Sequence, residues 1–515
     1  MSARRGDRHL RADPHGALAD APAQATAVVR VRIEPAYAQT VAGQHLMSLL
    51  VNLLCRQFGI LAGVRLAMPP DVAALIALPF GCGDTFTDQL ISAARLIARQ
   101  EIAVALADDA EPVDFEIHVG PTAQTGHARH YLSAYGLGWR FAVSSQTIPL
   151  ASGDNADSPV AIGPYLAASL AAGEVFKRVR GMRVGGFIER VLGSAWTMST
   201  ADAWGLLEDG PAAIPLIQSH IYFAGCGAVA QAAAWTMTAS GAHGQASAID
   251  YDALDETNEN RYVLTHADPP ERDKATVLAS HLRANGITCH EHSRTWGAHA
   301  QLRGGRTLDP AVASAERRLR FPIVLSCVDK NAARHEIQAY TPELLLGAST
   351  DGLSAKASIF DLSYPPHACL ACHNPPERRN HMIEEQLSQL RPMTPEQRQA
   401  FALERGIDPT LVERMLNPTG CGELSAQELE LFSSPAPQMS VGFVSAGAGA
   451  LLCAQLFRAA ALGPRATSDG DQVILSFRNG RLKTLHTAQD SQCTHHAALH
   501  HQWMKTWRRG ANAAG

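Results

Sequence analysis

Val28, Val29, Val31 and Ile33 are interrupted by Arg30 and Arg32, a near-alternation that predicts a half-buried strand at 28–33. Residues 46–58 are apolar over a helical length, and 162–176 form an Ala-rich stretch entered through Gly163-Pro164, so both are expected as helices. Pro, Asp and Ser gathered at 151–159 predict a surface loop. A second series starts near Ile217. Residues 220–224 read as a strand, Gly225 and Gly227 as a turn, and 228–238 as a helix. A strand at 246–249 ends at Asp250, followed by a helix at 274–284 and a strand at 287–290. Residues 322–328 are largely apolar without alternation, as in a strand covered on both faces. Strands alternating with helices predict an α/β fold with a parallel sheet and right-handed crossovers. The stretch 377–432 is charged and helical in pattern, starts a helix at Thr394-Pro395-Glu396, and reads as an insertion. An apolar helix at 441–461 and a hairpin at 472–485, turning at Asn479-Gly480, follow it.

Composition narrows the classes. A chain of 515 residues exceeds one ordinary core, so two or more domains are expected. A net charge of −5 with no long Lys or Arg run argues against a nucleic-acid partner held by bulk electrostatics. Residues 1–24 lack the apolar core of a signal peptide, so a disordered tail and a cytoplasmic location are expected. The apolar stretch 440–457 has the length to cross a bilayer, yet it is rich in Gly, Ala and Ser and carries Gln455. It is expected as a buried helix, with no membrane partner. Ten cysteines in this length are no disulfide scaffold. Cys55, Cys289, Cys327 and Cys453 sit in apolar runs as core residues, whereas Cys369-x-x-Cys372 and Cys421, between Gly420 and Gly422, stand apart.

Gly225-x-Gly227-x-x-Ala230 lies between a strand and a helix. The first glycine permits the tight turn, the second lets a phosphate approach the backbone, and the helix N-terminus favours its charge. Next come Asp250-Tyr251-Asp252, Asn258 and Arg261, then Lys274 thirteen residues on, and Asp329 after a buried strand, with Arg334 five residues beyond it. This set resembles the D-x-D…N-x-x-R signature of the ThiF/MoeB and ubiquitin-activating enzymes. The resemblance implies ATP and Mg²⁺: Asp252 accepting from the ribose hydroxyls, Arg261, Lys274 and Asn258 at the phosphates, and Asp329 holding the magnesium ion. Ala230 replaces the third glycine, Gln231 stands where a small hydroxyl residue is usual, and Lys330 stands where Asn is usual.

The same resemblance implies a structural Zn²⁺ held by two cysteine pairs. Cys369 and Cys372 supply one, and Cys493 with His496 supplies the second as a Cys₃His set, with His495 and His373 as rival fourth ligands. A redox pair or two free thiols is the plainer alternative. Cys421 falls where such enzymes carry the thiol that takes the acyl group from the adenylate. The implied reaction is adenylation of the C-terminal glycine carboxylate of a ubiquitin-like or sulfur-carrier protein, then a Cys421 thioester and transfer to a conjugating enzyme.

The implied organisation is a tail (1–26), a degenerate, inactive adenylation-like α/β domain (27–215), and an active Rossmann-like ThiF-type adenylation domain (216–515) with a helical catalytic-cysteine insertion (377–435). The chain would then be a built-in pseudo-dimer, as a monomer or paired again, with Arg129, Arg140 or Arg178 as candidates to reach the nucleotide. In this organisation the chain resembles single-chain activating proteins of bacterial operons for ubiquitin-like conjugation, some of them antiphage, and the resemblance implies that setting. Three rivals stand beside this reading: a non-enzymatic scaffold that keeps the fold, disfavoured because every charged position expected around the triphosphate is occupied; an adenylase for a sulfur carrier or small carboxylate without a thioester; and a dinucleotide-binding oxidoreductase. In the last, Arg261, Lys274 and Asp329 would have no task.

Overall fold

β-Branched residues give β1 (Ala27–Ile33) its extended backbone, and it lies between β2 (Leu61–Ala67) and β4 (Phe115–Val119), parallel to both. The computed structural model describes residues 25–107, 111–122, 128–146, 157–181, 187–266, 272–304, 320–363, 368–374, 379–405, 407–417, 439–463, 471–487, 489–491, 493 and 495–511. Adding β3 (Ala103–Leu106), β5 (His130–Leu137), β6 (Arg140–Ser144), β7 (Arg190–Ser194) and β8 (Ser199–Thr200) gives an eight-stranded sheet in the order β3-β2-β1-β4-β5-β6-β7-β8. It is parallel from β3 to β5 and antiparallel from β5 to β8.

A second sheet repeats this order. Its strands are β9 (Ile221–Ala224), β10 (Gly244–Asp250), β11 (Ile287–Ser293), β12 (Ile323–Ser326), β13 (Leu344–Asp351), β14 (Ser354–Phe360), β15 (Gln472–Ser476) and β16 (Leu482–Leu485), ordered β11-β10-β9-β12-β13-β14-β15-β16. The switch to antiparallel pairing falls at the equivalent place, between β13 and β14. The α/β fold is thus present twice, once with the signature residues and once without.

The expected helix at 46–58 instead runs Val41–Leu54, because the Thr40 side chain accepts a hydrogen bond from Gly43 N–H and caps it early. The strand expected at 322–328 stops at Ser326, because Cys327 and Val328 turn against Gly225. The apolar stretch becomes helix Gly442–Leu462, long and apolar enough to cross a membrane but 94% buried over its most apolar window. It packs on helix Ala228–Ala239 and on helix Ile162–Arg180 of the first half. A Cβ at Gly449 would lie 2.6 Å from the Ala232 side chain, so small residues are what let these helices meet. One hydrophobic core runs through both halves. Between β14 and β15 the chain leaves the sheet and forms helices Arg379–Leu390, Pro395–Arg405 and Pro409–Leu416, which close on a core of their own around Leu390, Ile407, Leu411 and Val412. Cys421 lies outside the described residues.

Candidate active site

Pairing registers bring three strand ends level. Ala224, last in β9, pairs with Ile249 of β10 and with Ser326 of β12, so Gly225, Asp250 and Cys327 emerge side by side. Gly225 has φ +87°, and a Cβ there would lie 3.0 Å from the Cys327 carbonyl oxygen, so only glycine suits this crossing. Gly227 is the N-cap of helix Ala228–Ala239, and no side chain caps it. Its first-turn N–H groups and dipole therefore suit an anion. Ala230, fully buried, packs that helix onto the sheet.

The polar residues form a connected set. Asp250 accepts from Cys226 N–H at 2.7 Å and from Asp252 N–H at 2.9 Å, which fixes the glycine loop to the D-x-D run. Burial raises the Asp250 pKa despite these bonds. Asp252 accepts from Lys274 Nζ at 2.8 Å. Burial acts to lower the Lys274 pKa, but Tyr262 and Asp252 outweigh it and the net shift is upward, so the ammonium is charged at neutral pH. Tyr262 links the rest: its hydroxyl would lie 3.3 Å from a Cβ at Gly227, Lys274 Nζ is 5.9 Å from its ring centroid, and the Arg261 guanidinium is 5.2 Å from it. Arg261 donates to Thr257 O and to Asn260 Oδ1, is mostly buried, and feels the charge of Asp329. Asp329 itself is exposed just beyond β12, and Lys330 occupies the N-cap position of helix Asn331–Ala339 without a side-chain capping bond. Asn258 is buried, with an Oδ1 that makes no hydrogen bond. Asp252, Lys274, Arg261 and Asp329 are therefore brought near one another beside Gly225 and Gly227, with Asn258 on the loop that carries Arg261.

One residue beside this set was not singled out in the sequence, and another was noted only as a departure from the usual small hydroxyl residue. Tyr262 follows Arg261 directly, and the motif itself could have pointed to it. Gln231 accepts from Leu264 N–H at 3.2 Å and so holds the far end of the Arg261 loop, a task invisible without the fold. The first-half arginines are occupied elsewhere. Arg140 pairs with Asp209 at 3.1 Å, Arg178 lies 4.2 Å over the Phe187 ring, and Arg129 is exposed beside His130.

In the first sheet the matching position after β1 is Glu34, followed by Pro35. Glu34 accepts from Thr122 N–H at 2.7 Å and Thr122 Oγ1 at 2.5 Å, and lies 3.0 Å from His118 Nε2. A Cβ at Gly120, the residue after β4, would collide with that carboxylate. A carboxylate, tied to Thr122 and His118, thus occupies the strand end that corresponds to the glycine turn of the second half.

At the far edge of the second half, the Cys369 and Cys372 sulfurs are 3.7 Å apart and those of Cys369 and Cys493 are 3.6 Å apart. Among the described residues this is the group suited to a metal, with all three thiols within 4.8 Å of one another. His496 is not a member of it: the helix His496–Ala511 starts there, and the ring is buried outside the thiol group. His495 is exposed, and the side chain of His373 lies outside the described residues. Burial among neighbouring thiols pushes the Cys369 thiol up to about 12. Burial also acts upward on Cys493, but the His495 N–H and the adjacent sulfurs take it below its usual value. Three soft ligands with these spacings fit zinc. Arg334 ties this corner to the cleft by donating to Asn331 Oδ1 at 2.7 Å and Asn374 Oδ1 at 3.1 Å.

Residues 213–495 match the ThiF family, and residues 28–193 match the BilD N-terminal domain. Two curated relatives are the bacterial E1-like protein BilD of Collimonas, 27% identical over 55% of this chain, and the uncharacterized protein y4jF of Sinorhizobium fredii, 25% identical over 67% of it. The matches span 60% of the length of each relative. Solved structures of E. coli MccB overlap 54% of the chain: one with ATP (13% identity, TM-score 0.33, 66% of that chain) and one with N-formylated MccA (13%, TM-score 0.34, 67%).

Proposed function

The chain belongs to the ThiF family, with E1-like and adenylyltransferase relatives, and from that membership we propose that it adenylates the C-terminal glycine carboxylate of a ubiquitin-like protein with ATP. The observation that carries this reading is the connected set Cys226–Asp250–Asp252–Lys274–Tyr262 beside an uncapped helix N-terminus. It combines a carboxylate suited to a ribose with the Lys274 ammonium, and Tyr262 brings the Arg261 guanidinium to within 5.2 Å of its ring as a second cation.

The phosphates lie against the backbone from Gly227 onward. Asp252 accepts from the ribose, so Lys274 exchanges part of its pairing with Asp252 for the nucleotide. A carboxylate oxygen of the carrier attacks the α-phosphorus, the bond from that phosphorus to the bridging oxygen breaks, and pyrophosphate leaves with the electron pair. Arg261, Lys274 and Asn258 hold the charge that develops on it. Asp329, exposed to the cleft, supplies the hard oxygen that would hold Mg²⁺. Cys421 then attacks the acyl carbon, releasing AMP, and the thioester passes to a conjugating enzyme. The first half is the degenerate partner, with Glu34 in place of a phosphate.

Exchange of labelled pyrophosphate into ATP tests the reading. It is expected only when a small protein ending in glycine is present. Exchange driven by a free small carboxylate would instead support an adenylase without a protein carrier, and NAD binding without exchange would remove the proposal.

A further inference from the structure

Arg56 stands just after helix Val41–Leu54 in the first half, and its side chain is 1% exposed. Its donors cross to the other half. Nη1 donates to Glu259 O at 2.7 Å, while Nη2 donates to Thr265 O at 2.6 Å and Val263 O at 3.3 Å. Nε donates to Asn52 Oδ1 at 2.7 Å, and Asn52 Nδ2 reaches the same Val263 carbonyl at 3.1 Å. Residues 259–265 are the span that carries Arg261 and Tyr262. Burial takes the Arg56 pKa down to about 10, so the guanidinium remains charged. This buried charge makes its hydrogen bonds to carbonyl oxygens, with the Glu259 charge also favouring it, which makes its position demanding. Lysine, a compact ammonium, could not span three carbonyls in one plane.

We propose that Arg56, with Asn52, is a positioning residue for the nucleotide cleft: it fixes the backbone of 259–265 so that Arg261 and Tyr262 face Lys274 and Gly227. The first half thus acts on the site through backbone carbonyls of the second. This rests on the ATP reading above. Misplacing two phosphate-facing groups weakens binding without touching the glycine loop.

The test compares ATP·Mg²⁺ affinity, by titration calorimetry on the full chain, for Arg56→Met, Arg56→Lys, Asn52→Ala and Lys177→Met. Lys177 donates to Arg478 O at 3.1 Å, at a different junction between the halves, and controls for general loosening. Arg56→Met is expected to weaken binding about tenfold, Arg56→Lys and Asn52→Ala by less, and Lys177→Met to stay within about twofold. Amide hydrogen exchange should quicken over 259–265 in the Arg56 variants and not at 221–227. If Arg56→Met does not fold, Asn52→Ala and Arg56→Lys carry the test. Unchanged affinity in the folded Arg56 and Asn52 variants overturns the inference, as does an equal loss in Lys177→Met. If the unsubstituted chain binds no ATP·Mg²⁺, the nucleotide reading fails first, and the inference falls with it.

Discussion

Lys274 meets two demands at once. It neutralises Asp252 in the ligand-free chain and must turn toward phosphate when a nucleotide arrives. Lys274→Ala removes a cation that acts on developing charge, so carrier-dependent pyrophosphate exchange should fall by about a hundredfold or more while the unfolding midpoint barely moves. In the proposed reaction Cys421 acts one step later. Cys421→Ala should keep exchange and lose the carrier thioester on a non-reducing gel; thioester persisting in that variant would remove the assignment. The charged residues of this cleft were legible in the sequence because their spacing follows strand ends, and strand ends follow hydrophobic pattern. Arg56 was not, because its partners lie about two hundred positions away and only the packing of two sheets brings them near.

Helix Gly442–Leu462 shows how an element can be read correctly for an incomplete reason. Its composition marked it as buried, but the surfaces burying it belong to both halves. A leucine at Gly449 would drive into Ala232 and the Ala233 backbone; Gly449→Leu should cost on the order of 2–3 kcal/mol in chemical denaturation. The thiol corner concerns helix His496–Ala511. Trp503 and Trp507 of that helix donate to Pro342 O and Thr341 O at 3.1 and 2.9 Å, so the corner and the indoles together hold it to the sheet. The protein should contain about one zinc per chain by elemental analysis, and Cys369→Ser should lose it and red-shift the tryptophan fluorescence. The three-thiol spacing was legible, but the fourth ligand was not, since adjacent histidines at a helix start face different directions. The strands of the first half were largely illegible because they lack the glycine loop and acidic run that mark the second.

For the whole molecule, the repeated strand order places two sheets of the same topology on one common core, to which both halves contribute. Buried His45 and half-buried His281 set a pH response. Burial holds His45 and His281 near about 4, against 6.5 for a free histidine. A depressed pKa means the neutral form is favoured by folding, so this stability is present above pH 6.5 and is lost as pH falls toward 4. Each contributes on the order of 3 kcal/mol when fully expressed. Denaturation midpoints measured from pH 7.5 to 4.5 should fall across that window, less steeply in His45→Gln. The most direct test of the central claim is the stoichiometry and affinity of ATP·Mg²⁺ on the full chain. One nucleotide per chain, lost in Arg261→Ala and kept when Glu34 is replaced by Gln, is the predicted result. No binding, or two nucleotides per chain, would contradict the account.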